Sequence, residues 1–294
     1  ACKHLQKCLS RRKKIKIFNA DIDNDVYMDG IFENENIGAI MHCAADISVP
    51  ESVDNPVKYY YNNTSKSIKL LEKAKKNGVN NFVFSCTAAV YGEPPEDVAK
   101  SIPETHPCRP INAYGESKLM FETILKRYSE VNPNFKYASL RYFNVAGNDI
   151  QNRVQDIHWK KKENIIPKIM SRIIEGKGEF RIFGVDYDTP DGSCIRDYIH
   201  PSDLANAHLI CLQKGTTGVF NLGTNRGSSV WEIVRESVES TGSEIDVIHD
   251  KPRKGDPKVL VANPTRFIKE TGWEPAYNLG EIVRTAYKAY REVK

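Results

Sequence analysis

Apolar and polar positions along the first half of the chain predict strands that take turns with helices. Short apolar runs with strand character occupy Lys14–Ala20, Gly38–Ala44, Asn81–Cys86 and Tyr137–Tyr142. Segments with helical spacing lie between them, at Asp23–Glu35, Asn55–Asn77 and Asn112–Glu130. This alternation is typical of crossover units, so we expect an α/β domain with a mostly parallel sheet.

The pattern loosens after Asn144, where loops rich in Gly, Asp and Pro separate shorter elements. The elements predicted there are helices at Ile165–Glu175, Ser202–Leu212, Val230–Ser240 and Leu279–Val293, and a strand at Val219–Leu222. We expect a first domain over residues 1–160 and a smaller C-terminal α/β lobe over residues 161–294, with a chain that can cross between them. A cleft at the ends of the strands would bind the ligand.

Composition limits the classes of partner. The 42 basic and 38 acidic residues leave a net charge of only +4, too small and too dispersed to predict nucleic-acid binding across the surface. The first sixteen residues are basic and contain no carboxylate. An RNA- or membrane-binding arm and a solvated connector are both compatible with that stretch. No apolar run is long enough to span a membrane, so we expect a soluble protein.

The chain contains seven cysteines: Cys2, Cys8, Cys43, Cys86, Cys108, Cys194 and Cys211. Their number is odd, and they form no CxxC pair and have no nearby histidine ligands. We therefore expect free thiols, a cytoplasmic location and no metal site.

Tyr114 and Lys118 lie four residues apart in the predicted helix Asn112–Glu130. Residues at this spacing project from one helical face. A neighbouring cation favours the phenolate form of a tyrosine, so the pair predicts a general base. The alternative is a ring packed on the core beside a solvated amine.

Two strand ends supply further candidates. Cys43, Ala44 and Ala45 close one strand with small residues, which would let a flat cofactor approach the backbone; a tightly packed strand end is the alternative. Thr87 follows Ser85 at the end of the next strand, where its hydroxyl is expected at the carboxyl edge of the sheet. A threonine there is also a common helix cap or turn former.

Together these residues resemble the extended short-chain dehydrogenase/reductase superfamily and, within it, the UDP-glucose (UDP-galactose) 4-epimerases. The resemblance runs from about Phe18 to the C-terminus. Its most specific marks are Arg141-Tyr142-Phe143-Asn144 and the run from Ile182 to His200 that contains Arg196-Asp197-Tyr198. It implies a doubly wound, Rossmann-type sheet and reversible epimerisation at carbon 4 of UDP-glucose and UDP-galactose. The reaction would pass through a transient 4-keto sugar, with tightly bound NAD restored in each cycle.

The resemblance also implies a role for each matching residue. Tyr114 would remove the proton from the hydroxyl on carbon 4, Lys118 would bind the nicotinamide ribose and lower the pKa of Tyr114, and Thr87 would bond the reacting hydroxyl. The implied cofactor-binding residues are Asp21, Ile22, Cys43, Ala44, Ala45, Asn63, Ser85, Tyr114, Lys118, Tyr142 and Phe143. The implied substrate-binding residues are Thr87, Asn144, Asn164, Phe183, Arg196, Tyr198, Val230, Arg253, Asp256 and Leu260. Arg196 and Arg253 would fork onto the diphosphate, although each alone could be a surface ion-pair partner.

Two departures refine this expectation. Thr87 is followed by Ala88-Ala89, whereas the 4,6-dehydratases of the superfamily carry an Asp-Glu pair there, so the reaction is expected to stop at epimerisation. Leu260 stands where some relatives carry a tyrosine near the 2-substituent of the sugar. The smaller side chain predicts that UDP-N-acetylhexosamines enter as well.

The chain shows no glycine-rich turn before its first predicted strand. Relative to the family it lacks a first strand, that turn, a first helix and most of a second strand, roughly the 30 or more residues of one βαβ unit. We expect an exposed edge of the main sheet and the loss of a helix N-terminus that would hold the pyrophosphate. Two hypotheses therefore stay open: an NAD-dependent epimerase, and a non-catalytic or degenerate homologue unable to bind NAD alone. The family commonly forms homodimers, here through Asn55–Asn77 and Asn112–Glu130.

Overall fold

The computed structural model describes residues 15–154, 159, 164–176, 178–252 and 257–292. Its strands are β1 (Ile40–His42), β2 (Asn81–Thr87), β3 (Lys136–Tyr142), β4 (Asn144–Val145), β5 (Phe180–Phe183), β6 (Ile195–Ile199), β7 (Gly218–Leu222), β8 (Gly227–Ser229), β9 (Val247–Asp250) and β10 (Val259–Leu260). Its α-helices are α1 (Asp25–Asn34), α2 (Val49–Asp54), α3 (Pro56–Tyr59), α4 (Lys66–Lys76), α5 (Glu96–Ala99), α6 (Ala113–Val131), α7 (Ile165–Glu175), α8 (Pro201–Lys214), α9 (Val230–Thr241), α10 (Thr265–Thr271) and α11 (Leu279–Glu292). A π-helical segment, Tyr60–Ser65, joins α3 to α4, and a 3₁₀ turn, Ala88–Tyr91, follows β2.

The main sheet is parallel and has the strand order β1, β2, β3, β7. Side chains alternate across β2: Phe82 and Phe84 pack into the core formed with α4 and α6, and Val83 packs into the core formed with α8. Helices thus cover both faces, which explains why β2 is apolar almost throughout. Because the strands are parallel, their carboxyl ends meet at one edge.

A second core lies between α7, α9, α11 and the parallel pair of β5 and β9. Ile169, Phe180, Ile233 and Val283 are among its buried members. β6 pairs with β4, β8 and β10, and β4 follows β3 almost directly along the chain. The second core is therefore linked to the carboxyl edge of the main sheet through β4 and β6.

The chain crosses between the two parts after residue 160, because β7 and α8 belong to the main sheet and the core on one of its faces. The mostly parallel α/β architecture is confirmed. The division into residues 1–160 and 161–294 stays a prediction.

Most predicted helices are present within a few residues of their expected ends. α7 spans the predicted residues, and α8, α9 and α11 differ from the prediction by one or two residues at an end, the last within the described part of the chain. α6 begins where expected, since the Asn112 side chain accepts a hydrogen bond from the Gly115 backbone at 2.9 Å and caps the helix.

Three predicted elements differ from the structure. The strand predicted at Lys14–Ala20 is wrong: residues 15–20 have no regular structure, and Lys14 lies outside the described residues. Ile15 and Phe18 are each 43% exposed, and without a neighbouring strand an apolar run of this length gains little from an extended conformation. The strand predicted at Gly38–Ala44 contains only β1, which pairs with β2 on one side and leaves Met41 exposed. The helix predicted at Asn55–Asn77 is interrupted by the π-helical segment.

Candidate active site

Thr87 and Tyr114 meet at the carboxyl end of β2. The Thr87 hydroxyl accepts a hydrogen bond from the Ala89 backbone at 3.1 Å, and it lies near enough to Tyr114 to affect the pKa of the phenol. Burial raises the pKa of Tyr114 to about 12, whereas the hydrogen bond with Thr87 acts to lower it. The phenol is therefore protonated at neutral pH unless additional positive charge approaches it.

Gly115 explains how α6 comes so close to the 3₁₀ turn. A Cβ atom at this position would lie 2.5 Å from the Ala89 carbonyl oxygen, so any larger residue would push the helix away. The glycine after Tyr114 thus holds the tyrosine against the end of β2.

Lys118 lies one turn beyond Tyr114, with only 3% of its surface exposed. Its Nζ donates to the Ser85 carbonyl oxygen at 2.8 Å and lies 4.8 Å from the centre of the Phe84 ring. Burial lowers the pKa of Lys118 to about 8. The ammonium has three hydrogens, and among the described residues its hydrogen bond is to the Ser85 carbonyl. Two hydrogens can therefore bond further acceptors, such as the hydroxyls of a ribose.

Asn63 ties the loop after β1 to α6 from within the π-helical segment. Its side-chain amide donates to the Asp46 carbonyl at 3.0 Å and to the Ser117 hydroxyl at 3.1 Å, and its oxygen accepts from the Asp46 backbone at 2.8 Å. The wider π turn is common at functional sites. Here it presents a buried amide that fixes the loop beside Ala44 and Ala45.

Four further predicted cofactor residues lie at the carboxyl ends of three adjacent strands. Ser85 Oγ is 3.2 Å from Cys43 Sγ. Burial raises the pKa of Tyr142, and Ser85 acts to lower it. Cys43 and Ala44 are exposed, so small side chains leave this edge of the sheet open. Phe143 turns into the core instead.

Asp21 and Ile22 lie in the loop before α1. Lys66 of α4 donates to both oxygens of Asp21 at 2.8 and 3.0 Å, and this hydrogen bond lowers the pKa of the carboxyl. Within the loop, Asp21 also accepts hydrogen bonds from the backbone of Asp23 and Asn24.

A cavity of about 660 Å³ gathers most of the predicted substrate residues. Those that line it are Asn144, Asn164, Phe183, Arg196, Tyr198 and Val230. Each lies at the end of an element or on β6. Asn164 precedes α7, Phe183 ends β5, Val230 begins α9, Asn144 begins β4, and Arg196 and Tyr198 lie on β6. The register of β4 against β6 places Asn144 opposite Tyr198.

The cavity favours a negatively charged ligand. Arg196 is only 9% exposed, its Nη1 donates to the Ile195 carbonyl at 2.8 Å, and its side chain lines the cavity wall. Lys168, Arg172 and Arg181 also line the cavity, against a single carboxylate, Glu179, among the residues described there.

Two of the remaining predicted substrate residues, Thr87 and Leu260, are not among those that line this cavity. Leu260 lies on β10 directly opposite Arg196 in the register with β6. Arg253 and Asp256 fall outside the described residues.

Sequence reasoning missed an acidic residue next to the site. Glu122 is buried and binds Arg141 of β3 through both carboxylate oxygens, while the Ser139 hydroxyl donates to it at 2.7 Å. The signal was available, because Tyr114, Lys118 and Glu122 follow at intervals of four and share one helical face.

The cysteines Cys43, Cys86, Cys108, Cys194 and Cys211 are free thiols, as predicted. Within residues 15–154, 159, 164–176, 178–252 and 257–292, no group of His, Cys, Asp or Glu side chains could hold a metal ion. None of the helices in that part of the chain is both long and apolar enough to cross a membrane.

Comparison with known proteins places these residues in context. The family model described as "NAD dependent epimerase/dehydratase family" matches residues 2–223. The UDP-glucose 4-epimerase of Lactobacillus helveticus is 39% identical over 285 residues, which are 95% of this chain and 84% of that protein. The UDP-Glc/GlcNAc 4-epimerase of Campylobacter jejuni has a similar structure, with a TM-score of 0.83, 38% identity, and coverage of 98% of this chain and 87% of that one. The UDP-glucose 4-epimerase of Bifidobacterium longum, solved with NAD⁺ and UDP, gives a TM-score of 0.87 at 30% identity over 99% of this chain and 87% of that one.

Proposed function

The chain belongs to the NAD dependent epimerase/dehydratase family, and we infer from that membership and from the site that it is a UDP-glucose 4-epimerase. It interconverts UDP-glucose and UDP-galactose at carbon 4 with NAD as its cofactor. The observation that carries this proposal is the contact between Tyr114 and Thr87 at the carboxyl edge of the parallel sheet, with the buried Lys118 one turn away. The comparisons favour the enzyme over a non-catalytic homologue.

Tyr114 is the proposed general base. The Thr87 hydroxyl acts to lower the pKa of the phenol, and we propose that it bonds the reacting hydroxyl of the sugar. Because burial alone keeps the phenol protonated, the positive charges of Lys118 and of the nicotinamide ring are needed to favour the phenolate. NAD supplies, when bound, reversible hydride transfer at carbon 4, which leaves the cofactor restored after each cycle.

The residues at the edge of the sheet fit this cofactor. Lys118 has hydrogens left for ribose hydroxyls, and the exposed Cys43 and Ala44 allow a flat ring to approach the backbone. The proposed cofactor set is the one implied by the resemblance: Asp21, Ile22, Cys43, Ala44, Ala45, Asn63, Ser85, Tyr114, Lys118, Tyr142 and Phe143. Asn63 acts by fixing the loop that contains Ala45 and Asp46.

The cationic cavity is the proposed UDP site. Arg196 binds the diphosphate, with Arg253 as a second contact, while Phe183 and Val230 pack against the uracil. Asn144, Asn164 and Tyr198 complete the wall, and Asp256 is proposed to bind the ribose.

Arg196→Met is expected to raise the KM for UDP-galactose about 10- to 100-fold, because a charged hydrogen bond of this kind contributes about 1.5–3 kcal/mol. The kcat should fall much less, since the diphosphate is remote from carbon 4. Steady-state kinetics check this, with Arg127→Met as control, because Arg127 is an exposed arginine paired with Glu130 on the surface. An unchanged KM in Arg196→Met would place the diphosphate elsewhere.

Leu260→Tyr is expected to lower kcat/KM for UDP-N-acetylglucosamine at least about tenfold, with UDP-galactose changed less than about threefold. The larger ring would occupy the space that the N-acetyl group needs. Leu260→Met, which nearly conserves volume, serves as the control. Equal losses on both substrates would contradict a role for Leu260 in substrate size.

The function is tested by incubating the purified chain with UDP-galactose and added NAD. UDP-glucose formed is measured with a coupled UDP-glucose dehydrogenase. We expect turnover that depends on the chain; a folded chain that releases no UDP-glucose contradicts the proposed function.

We also propose a cytoplasmic homodimer. Val57 of α3 is 73% exposed, Tyr61 of the π-helical segment is 50% exposed and Met120 of α6 is 40% exposed, so the two predicted pairing helices present apolar surface. Sedimentation velocity is expected to give twice the mass of one chain, and a monomer at micromolar concentration would exclude the dimer.

A further inference from the structure

A buried histidine of α8 contacts β2 at the edge of the main sheet where NAD is proposed to bind. His208 is 4% exposed, and its Nε2 lies 3.1 Å from the Ser85 hydroxyl. Its Nδ1 lies 2.8 Å from the Leu204 carbonyl oxygen, one turn earlier on the same helix. The ring thus spans the distance between its own helix and β2.

The partners of the ring fix where its hydrogen lies. A carbonyl oxygen only accepts, so Nδ1 must carry the hydrogen and donate it to Leu204. Burial lowers the pKa of His208, although the Leu204 hydrogen bond acts to raise it, and the ring is neutral near pH 7. Nε2 is therefore an acceptor, and the Ser85 hydroxyl donates to it.

This direction determines what Ser85 can do with its other contacts. With that hydrogen on His208, the contact of Ser85 Oγ with Cys43 Sγ at 3.2 Å needs the thiol as its donor; without His208 the hydroxyl can turn to the sulfur instead. The Ser85 carbonyl oxygen accepts from Lys118. Ser85 therefore connects the Cys43 thiol after β1 and His208 of α8 with the lysine on α6.

We propose that His208 is a positioning residue of the NAD-binding edge. By accepting the Ser85 hydrogen it keeps the hydroxyl from turning to Cys43 Sγ, and so fixes the rotamer of Ser85 and its contact with the thiol. His208 does not touch substrate or cofactor itself; it acts through Ser85. This inference rests on the proposed function, because it assigns the purpose of the network to NAD binding.

The hydrogen assignment can be tested without cofactor. In protein labelled with ¹⁵N-histidine, the ring signals of His208 are identified by their absence from His208→Gln. We expect the neutral tautomer with the hydrogen on Nδ1 at pH 7.5. A ring with its hydrogen on Nε2, or a doubly protonated ring, overturns the proposal.

The positioning role is tested by NAD affinity. His208→Leu removes the acceptor and lets the Ser85 hydroxyl turn to Cys43 Sγ, 3.2 Å away, so NAD binding measured by calorimetry should weaken about tenfold. UDP affinity should stay within about twofold, because UDP is assigned to the cavity beside β6. His208→Gln, which returns an acceptor to Ser85, should recover most of the NAD affinity. Unchanged NAD affinity in His208→Leu, or equal losses in both variants, overturns the proposal.

A control and a second variant separate positioning from stability. Thr285→Val removes the hydroxyl 3.1 Å from Nε2 of a second buried histidine, His200, and should leave NAD affinity unchanged; an equal NAD loss in that variant overturns the proposal. If His208→Leu does not fold, Ser85→Ala is decisive by the same readouts, and unchanged NAD affinity in it overturns the proposal. A wild-type chain that binds no NAD would instead contradict the proposed function.

Discussion

Replacing Tyr114 with phenylalanine is expected to lower the kcat of epimerisation about 10²- to 10⁴-fold, the range that a positioned general base contributes. The substitution removes one oxygen, the atom that contacts Thr87 and would take the proton from the sugar. The ring itself remains to pack edge-on against Tyr59, with centroids 6.5 Å apart, so folding should be little affected. The measurement is steady-state kinetics with UDP-galactose, accompanied by NAD and UDP affinities.

Tyr128 offers a matched control on the same helix. Its ring packs edge-on against Phe135 at 4.7 Å, far along α6 from the site. Tyr128→Phe should keep kcat within about twofold. If Tyr114→Phe retained more than a tenth of the wild-type kcat while binding NAD and UDP normally, another group would have to be the base.

Replacing Glu122 with leucine is expected to lower the free energy of unfolding by about 3–5 kcal/mol, the usual consequence of removing one partner of a buried ion pair. The change leaves the Arg141 guanidinium buried without its carboxylate and removes the acceptor of the Ser139 hydroxyl. Arg141 also donates to the Tyr91 hydroxyl at 2.8 Å, and Tyr91 donates to Asn221 at 2.8 Å. The loss should therefore loosen the packing of α6 against β3 and β7. Urea unfolding followed by circular dichroism measures it.

The double variant Glu122→Leu with Arg141→Met separates the charge from the packing. Removing both partners leaves no uncompensated charge, so the double variant should be more stable than Glu122→Leu alone. Glu130→Leu is the control, because Glu130 forms an exposed pair with Arg127 that contributes little. A double variant less stable than the single one would show that the ion pair is not the source of the loss.

Elements that depend on local features of the sequence were predicted well, and elements that depend on a distant partner were not. α6 could be placed from Asn112 and the spacing of its apolar residues, because a capping side chain and a helical face are both local features. The strand predicted at Lys14–Ala20 failed because a strand depends on a partner that no local pattern reveals. The short strands β5, β6, β8, β9 and β10 went unpredicted for the same reason.

Site residues that belong to a local motif could be predicted from the sequence. Residues that only the packing of distant elements brings together could not. The cavity gathers Asn144, Phe183 and Arg196 from separate elements, and a resemblance was needed to group them. His208 was missed because its partner, Ser85, lies 123 residues away and only the packing of α8 on β2 brings them together.

The return of the same hydride to carbon 4 of the substrate is the central step of the proposed reaction. It is tested most directly with UDP-galactose carrying deuterium on carbon 4, converted by the purified chain and NAD in ordinary water. We predict UDP-glucose that keeps the deuterium on carbon 4 in nearly every molecule, because that hydrogen is removed and returned without exchange. UDP-glucose with carbon-bound hydrogen from the solvent at that position would contradict the account.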